Sequence, residues 1–184
     1  PTPEPRLVST PEQQRQAREA LGLPLDAHPI VFCPGAEYGP AKRWPVEHFA
    51  ALAVKLAERG HALWLFGSGK DRPVADAIAA AAGVPCRNLC GSTTLDQAVD
   101  LLAASRFVVT NDSGLMHVAA ALERPLIAVF GSSSPQYTPP LSAQAEVLWL
   151  RLECSPCFKR ECPLGHLNCL RDIKPEQVLA ALGG

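Results

Sequence analysis

The chain has 184 residues, of which 47% are hydrophobic, and its 17 basic side chains nearly balance its 18 acidic ones. That length allows one domain with a full core and is barely enough for two. The near-neutral charge argues against a nucleic-acid-binding surface, and no apolar run approaches the roughly 20 residues of a membrane span. The start lacks the basic-then-apolar form of a signal peptide, so we expect a cytoplasmic protein.

The first five residues read PTPEP, which predicts a proline-rich linker. Such a start is typical of a piece cut from a longer polypeptide. A helix is then expected from Thr10 to about residue 21, because Thr10 can cap it, Pro11 suits its first position and Gly22 can end it. We assign residues 1–28 to this linker and leading helix.

From residue 29 onwards, short apolar runs alternate with amphipathic stretches. Apolar runs predict strands at 30–33, 62–66, 88–90, 107–110 and 126–130, and a weaker pattern at 146–150 allows a sixth. Helical patterns cover residues 45–59, 73–82, 95–104, 115–122 and 174–182. Continuously apolar strands that alternate with helices predict an α/β fold, with one parallel sheet and helices on both faces.

The loops after the predicted strands share one composition. All five contain glycine, and four contain serine or threonine. In a parallel sheet these loops collect at the carboxyl edge, where small residues with free N–H groups suit a phosphorylated ligand. Each loop alone would serve as an ordinary turn. The five together favour a binding site.

Residues 111–117, NDSGLMH, follow one strand and lead into a helix. Such a turn points unpaired N–H groups and the positive end of a helix dipole at one place, which suits a phosphate. Asp112 and His117 add a carboxylate and an imidazole, although an ordinary capped turn would explain them too. The P-loop motif, a complete dinucleotide fingerprint and the G-x-S-x-G elbow of serine hydrolases are absent from the sequence.

Four stretches in order carry a resemblance to a known family: CPGAEYGPAKRWP at 33–45, FGSGKD at 66–71, TNDSGLMH at 110–117 and CSPCFKRECPLGH at 154–166. They resemble the ADP-heptose-dependent heptosyltransferases of glycosyltransferase family 9. These enzymes pair two Rossmann-like domains across a cleft, the GT-B arrangement. The chain resembles only the C-terminal half, so residues 29–184 are expected to form the nucleotide-sugar (donor) domain with a C-terminal cysteine-rich segment.

The resemblance implies an inverting transfer of heptose from ADP-heptose to the inner core of lipopolysaccharide, at the inner face of the bacterial inner membrane. Lys42 matches the lysine of the family's K-x-W-P motif and would contact the phosphates. Lys42 and Asp112 are therefore the expected catalytic residues. No cofactor is implied, since basic side chains and a helix N-terminus would neutralise the leaving diphosphate. The general base belongs to the acceptor-binding half, so this chain alone is expected to be inactive.

The resemblance also implies donor contacts beyond Lys42 and Asp112. Backbone N–H groups of Ser113, Gly114 and Leu115, with the Ser113 hydroxyl, would complete the phosphate site. His117 would lie near the diphosphate and sugar. Related enzymes place a glutamate for the ribose after the second strand, but this sequence does not match it there, and Asp71 is the substitute.

Simpler roles remain open for these residues. Lys42 and Arg43 can be solvated surface side chains, and Trp44 suits anchoring its loop on the core better than stacking on adenine. His117 can hydrogen-bond a neighbouring loop. The alternative function is a noncatalytic module that binds a nucleotide sugar or interacts through its cysteine cluster.

Four of the seven cysteines cluster near the C-terminus, at Cys154, Cys157, Cys162 and Cys169, with His166 between them. Thiolates at such spacing can close a tetrahedral zinc site in a loop with little core. The spacing fits no standard zinc motif, and free thiols that pack the loop are the preferred interpretation. A structural zinc ion and a disulfide formed during purification stay open.

Overall fold

The computed structural model describes residues 4–183, so the start of the predicted linker, residues 1–3, lies outside the described part. A six-stranded sheet in the order β3-β2-β1-β4-β5-β6 forms its centre. All neighbouring strands run parallel, which confirms the predicted sheet and its sixth strand. The strands are β1 (Ile30–Cys33), β2 (Leu63–Leu65), β3 (Arg87–Asn88), β4 (Phe107–Asn111), β5 (Leu126–Phe130) and β6 (Ala145–Trp149).

Of the seven α-helices among residues 4–183, the six that were predicted begin and end close to their predicted bounds. The seven are α1 (Pro11–Ala20), α2 (Val46–Glu58), α3 (Arg72–Ala82), α4 (Leu95–Ala103), α5 (Gly114–Ala121), α6 (Asn168–Arg171) and α7 (Pro175–Ala181). Thr10 and Thr94 each cap a helix through a capping box with the glutamine three residues on. None of the helices among residues 4–183 has the length and apolar character to cross a membrane.

One predicted element was misplaced, and three short helices were missed. The strand expected at 88–90 lies at Arg87–Asn88, because the Asn88 side chain accepts the N–H of Cys90 at 3.0 Å and turns the chain there. The four-residue helix α6 was not predicted. Short 3-10 helices over Pro40–Lys42 and Gly69–Asp71 were also missed, and both lie in loops at the carboxyl edge of the sheet.

Helices cover both faces of the sheet, as predicted. Alternate residues of β1 enter two separate core clusters: Ile30 and Phe32 pack with α2, α3 and α7, while Val31 and Cys33 pack with α4 and α5. The leading helix α1 joins the second cluster through Ala17. Because both faces are covered, the four central strands β1, β2, β4 and β5 are buried almost completely, whereas the edge strands β3 and β6 are partly exposed.

The position of the binding edge follows from the strand order. From β1 the chain moves outward to β2 and β3, and from β4 it moves outward in the other direction to β5 and β6. The loops after β1 and β4 therefore diverge, which leaves a crevice outside their carboxyl ends. The carboxyl ends of β1 and β4 are the topological switch point of the sheet.

Candidate functional site

A cavity of about 420 Å³ opens at this switch point, within the size range of small-molecule sites. We call it the switch-point cavity. The loops after β1, β2, β3 and β4 contribute to it, together with α4 and α5. Its lining consists of Cys33, Gly35, Ala36, Glu37, Phe66, Gly67, Ser68, Asp71, Thr93, Thr94, Leu95, Ala98, Ser113, Gly114, Leu115 and Val118.

The lining combines apolar and hydroxyl side chains. Phe66, Ala98 and Val118 are apolar, while Ser68 and the Thr93-Thr94 pair supply hydroxyl groups. Cys33 also lines the cavity, but burial raises the pKa of its thiol far above the ordinary range, as the neighbouring Cys90 also does. Cys33 is therefore a neutral part of the wall, and the cavity suits a partly apolar ligand with polar substituents.

Helix α5 begins at the cavity without a side-chain cap. Ser113 occupies the N-cap position but makes no capping hydrogen bond, and its hydroxyl lies 3.3 Å from that of Thr110. Backbone N–H groups in the first turn of a helix have no partner within the helix. Since Ser113, Gly114 and Leu115 all line the cavity, this helix end offers donors and a positive dipole to an anion.

Lys42 and Asp112 form a buried ion pair next to this helix end. The Lys42 Nζ lies 2.6 Å from Asp112 Oδ2, with 18% of the lysine side chain and 5% of the aspartate side chain exposed. Thr138 donates a longer hydrogen bond of 3.3 Å to the other carboxylate oxygen. The sequence analysis identified Lys42 and Asp112 as site residues but did not predict that they pair. Each charge compensates the other in a place where a lone charge would be costly.

The loop that carries Lys42 is fastened to the core by Trp44. The Trp44 backbone N–H donates to Asn111 Oδ1 at 3.0 Å, and its indole N–H donates to the Ile173 carbonyl at 2.9 Å. The Asn111 amide donates in turn to the Pro34 carbonyl at 2.8 Å. Trp44 is 2% exposed, so the prediction that it anchors the loop is confirmed.

Asp71 lies in the lining as a fixed side chain. Its Oδ2 accepts hydrogen bonds from the Ser68 N–H at 2.8 Å and the Ser68 hydroxyl at 2.9 Å. The carboxylate fills the space beside Gly35 and Gly67, where an added Cβ would collide with it. Asp71 thus presents a carboxylate at the junction of the loops after β1 and β2.

The structure brings most of the predicted site residues together. Asp71, Ser113, Gly114 and Leu115 line the cavity, and Lys42 and Asp112 pair beside it. His117 is exposed on α5 and does not line the cavity. The loop after β3 was expected at this edge, but its residues Thr93 and Thr94 were not identified as lining.

At the mouth of the cavity, Glu37 and Lys70 form an exposed ion pair at 2.9 Å, with side chains 80% and 77% exposed. The hydrogen bond from Lys70 lowers the pKa of the Glu37 carboxyl. Because both side chains are solvated, this pair contributes little to stability. It differs sharply from the buried pair of Lys42 and Asp112.

The four clustered cysteines occupy residues 154–169, which we call the cysteine segment. All four are free thiols, and all four line one small cavity of about 20 Å³ together with Ser132 and Ala41. Within residues 4–183, no group of three or more His, Cys, Asp or Glu side chains is arranged to hold a metal ion. The structural zinc that the sequence left open, beside the preferred free thiols, therefore remains a hypothesis.

The strand order and the crevice at β1 and β4 define the class of protein: an α/β domain of the Rossmann type, whose ligand site lies at the switch point. The chain belongs to glycosyltransferase family 9 (heptosyltransferase), whose sequence profile matches residues 1–168. The family resemblance found in the sequence is thus confirmed. Members of this family are glycosyltransferases.

Named relatives agree with this assignment. The chain is 47% identical to lipopolysaccharide heptosyltransferase 2 of Escherichia coli K12 over 182 residues, which cover 97% of the chain and 52% of that protein. It is 48% identical to lipooligosaccharide heptosyltransferase 2 of Haemophilus influenzae over 191 residues, covering 99% of the chain and 55% of the relative. The chain spans about half the length of these relatives.

Solved structures show the same relation. The E. coli ADP-heptose LPS heptosyltransferase II superposes with a TM-score of 0.85 at 44% identity, over 99% of this chain and 54% of that one. The E. coli heptosyltransferase WaaC with ADP gives a TM-score of 0.68 at 26% identity, over 91% of this chain and 48% of that one. The six-stranded domain therefore matches about half of a GT-B enzyme, as the sequence predicted.

Proposed function

We propose that the chain is the donor-binding half of an inverting glycosyltransferase, which transfers heptose from ADP-heptose to the inner core of lipopolysaccharide. One observation carries the proposal: an uncapped helix end lines the switch-point cavity, and the part-buried Lys42 pairs with Asp112, the residue that directly precedes this helix end. That combination suits a nucleotide diphosphate, because the base needs an apolar surface and the diphosphate needs donors and positive charge.

Each part of ADP has a matching part of the cavity in this proposal. The adenine lies among Phe66, Ala98 and Val118, and the ribose hydroxyls bind the Asp71 carboxylate. The diphosphate accepts hydrogen bonds from the first turn of α5, at Ser113, Gly114 and Leu115. His117 contacts the sugar side of the diphosphate. Because His117 is exposed and does not line the cavity, this contact forms outside the cavity or after a movement of the side chain.

Lys42 and Asp112 are the proposed catalytic pair. As the bond between the sugar and the diphosphate breaks, negative charge grows on the leaving phosphate. The Lys42 ammonium neutralises that charge, and Asp112 holds the ammonium in place at 2.6 Å. The proposed reaction uses no metal or organic cofactor for this step.

The acceptor and the general base lie outside this chain in the proposal. The lipopolysaccharide core would reach the donor through the acceptor-binding half, in the cytoplasm at the inner face of the inner membrane. A site with only the donor contacts offers part of the transition-state stabilisation. We therefore expect the purified chain to bind ADP weakly and to transfer no heptose.

Calorimetry with ADP tests the proposal on the purified chain. Lys42→Ala should weaken ADP binding by about 1–3 kcal/mol, the usual contribution of a hydrogen bond to a charged group. Ser113→Ala should weaken it less, because the neighbouring backbone N–H groups remain. Lys55→Ala is the matched control, since Lys55 pairs with Glu176 at 3.5 Å on α2 and α7, remote in the fold from the cavity lining.

Three results would contradict the proposal. The absence of binding heat at millimolar ADP would show that the chain has no donor site. Equal losses of ADP affinity in Lys42→Ala and Lys55→Ala would show that Lys42 does not contact the phosphates. Binding that depends on Lys42, together with no transfer when the chain is combined with an acceptor-binding half, would favour the noncatalytic nucleotide-sugar module instead.

A further inference from the structure

A group of exposed aromatic side chains lies beside the buried pair of Lys42 and Asp112. Within the part of the chain that the structure describes, the exposed Phe, Tyr and Trp residues are Tyr38, Tyr137 and Phe158, at 42%, 77% and 47% exposure. They come from the loop after β1, the loop after β5 and the cysteine segment. We call these three residues the aromatic patch. Exposed apolar side chains that lie together mark an interaction site, whereas scattered ones are ordinary.

Direct contacts hold the aromatic patch together. The Tyr137 and Phe158 rings lie edge to face, with 5.7 Å between their centroids. The Tyr38 hydroxyl donates to the Phe158 carbonyl at 2.8 Å. The Phe158 N–H donates to the carbonyl of Ser132 at 2.7 Å, at the start of the loop that carries Tyr137. The three residues therefore form one surface, although they are far apart in the sequence.

The aromatic patch adjoins the buried ion pair but not the switch-point cavity. Thr138, which follows Tyr137, donates to Asp112 Oδ1 at 3.3 Å, and the Lys42 Nζ lies 5.3 Å from the centre of the Tyr38 ring. None of the three aromatic residues lines the cavity, whereas the residues that directly follow Asp112 do. A molecule on the aromatic patch would thus reach the ion pair from outside the cavity.

The aromatic patch also carries a positive charge. The guanidinium carbon of Arg160 lies 5.5 Å from the centre of the Tyr38 ring, within the range of a cation–π contact. A side chain at Gly39 would collide with the Arg160 backbone, so this part of the cysteine segment packs closely on the loop after β1. Lys159 and Arg160 are both exposed, with one acidic neighbour at Glu161. Neither is in an ion pair with another described residue.

We propose that the aromatic patch binds the acceptor saccharide, with an acidic substituent of that saccharide at Arg160. One face of a sugar ring presents C–H groups, which pack well against the electron-rich face of an aromatic ring. Arginine binds a carboxylate or a phosphate through two parallel N–H donors. The inference rests on the proposed function, because that function puts the donor diphosphate in the cavity on the other side of Lys42 and Asp112.

Size and charge favour this occupant. A stable protein interface uses roughly 20–30 residues on each side, whereas the aromatic patch has three, which is closer to the size of a sugar ring. The heptosyl group of the donor is uncharged, so it would give Arg160 no anionic partner. An acidic acceptor supplies that partner. The acceptor would then contact this chain as well as the acceptor-binding half.

Saturation-transfer NMR on the purified chain tests the proposal with two probes. One is the deacylated inner-core oligosaccharide of lipopolysaccharide with its carboxylate and phosphate groups, and the other is the same oligosaccharide after dephosphorylation and carboxyl reduction. We expect transfer to the acidic probe at millimolar concentration and much weaker transfer to the neutral one. Tyr137→Ala and Arg160→Gln should each lower the affinity for the acidic probe at least several-fold.

The two substitutions are at exposed side chains, so the variants are expected to fold. Leu25→Ala is the matched control, because Leu25 is 49% exposed and lies in the segment that leads into the amino end of β1. This variant should bind the acidic probe as the wild-type chain does. A loss in Leu25→Ala equal to that in Tyr137→Ala would overturn the assignment of the site to the aromatic patch.

Calorimetry of the wild-type chain with ADP separates this proposal from the proposed function. Binding of ADP, together with oligosaccharide binding that does not depend on Tyr137 and Arg160, would overturn the aromatic patch as a saccharide site and keep the donor site. Oligosaccharide binding that depends on both residues, without ADP binding, would support the saccharide site and contradict the donor site.

Three further results would overturn the proposal. The first is no transfer to either oligosaccharide at millimolar concentration. The second is a loss in Tyr137→Ala of affinity for ADP-heptose but not for the acidic probe, which would assign the aromatic patch to the donor sugar. The third is a dimer of the wild-type chain that Tyr137→Ala converts to a monomer, which would assign it to a second copy of the chain.

Discussion

The switch-point cavity and the cysteine segment lie on two sides of the 3-10 helix that carries Lys42, and they are held in different ways. The cavity is built from turns at the ends of paired parallel strands. The cysteine segment contains no strand and only the short helix α6 at its end. Its position depends on a few tertiary contacts, such as the 2.7 Å hydrogen bond from the Phe158 N–H to the Ser132 carbonyl.

The backbone of the cysteine segment is also less regular than that around the switch-point cavity. Among described residues, two of the four non-glycine residues with positive φ lie in the cysteine segment, Phe158 at 54° and Leu167 at 53°. Such conformations cost free energy and persist only where surrounding contacts enforce them. A site carried by regular elements is set by the sheet, whereas a segment of this kind needs a separate anchor.

The largest effect is expected at that anchor. Leu170 is fully buried, and its side chain packs so closely on Gly131 at the end of β5 that a Cβ there would collide with it. Leu170→Ala should lower the free energy of unfolding by about 2–5 kcal/mol, the usual cost of a cavity in a core. Urea denaturation measures it. Leu164→Ala is the control, since Leu164 is 61% exposed, and equal losses in both variants would contradict the anchor.

The buried ion pair beside the switch-point cavity should have a smaller effect. In a double-mutant cycle with Lys42→Met and Asp112→Asn, we expect a coupling of about 1–3 kcal/mol in the free energy of unfolding. Each single variant leaves a poorly solvated partner, and the double variant recovers part of the loss. A cycle on the exposed pair of Lys55 and Glu176 should give a smaller coupling. No coupling between Lys42 and Asp112 would mean that the pair is not formed in solution.

The pH dependence of thiol alkylation should differ between the two regions, and this test needs no substitution that would change stability. In chelator-treated protein, Cys162 should be alkylated at lower pH than an ordinary thiol, because backbone N–H groups lower its pKa against the effect of burial. Cys90, near the cavity, should react only at high pH, since burial raises the pKa of its thiol to about 12. Mass spectrometry of iodoacetamide-labelled peptides across pH gives both profiles. The reverse order would contradict the described surroundings of the two sulfurs.

The smallest effect is expected at the exposed pair of Glu37 and Lys70. Lys70→Ala should leave the denaturation midpoint unchanged within error, because both side chains are solvated. On the proposed function, ADP affinity should change far less than in Lys42→Ala. A Lys70 variant that loses as much affinity would move the phosphate contact from the buried lysine to the mouth of the cavity.

The sheet, the helices and the loops that form the switch-point cavity could largely be predicted from the sequence. Continuous apolar runs predicted the sheet, and the cap at Thr10 predicted the start of the leading helix, because these signals are local. The carboxyl-edge loops placed Asp71 and Ser113 near one another for the same reason. The prediction that Trp44 anchors its loop was also confirmed, since a large apolar ring is rarely left in solvent.

The remaining features depend on contacts between distant parts of the chain. Lys42 and Asp112 are 70 positions apart, and no local pattern reports that they pair. The helix α6 has four residues, too few to show a helical period. The turn around the Cys162 sulfur arises from backbone N–H directions, which the spacing of cysteines does not specify.

The carboxylate of Asp71 has a consequence for how this family's sequences can change. It occupies the space that a side chain at Gly35 or Gly67 would need, although these glycines follow two different strands. We therefore expect the three positions to change together. Alanine at either glycine is expected only in relatives that carry a smaller residue in place of Asp71, and an alignment of descendants should show the exchanges occurring together.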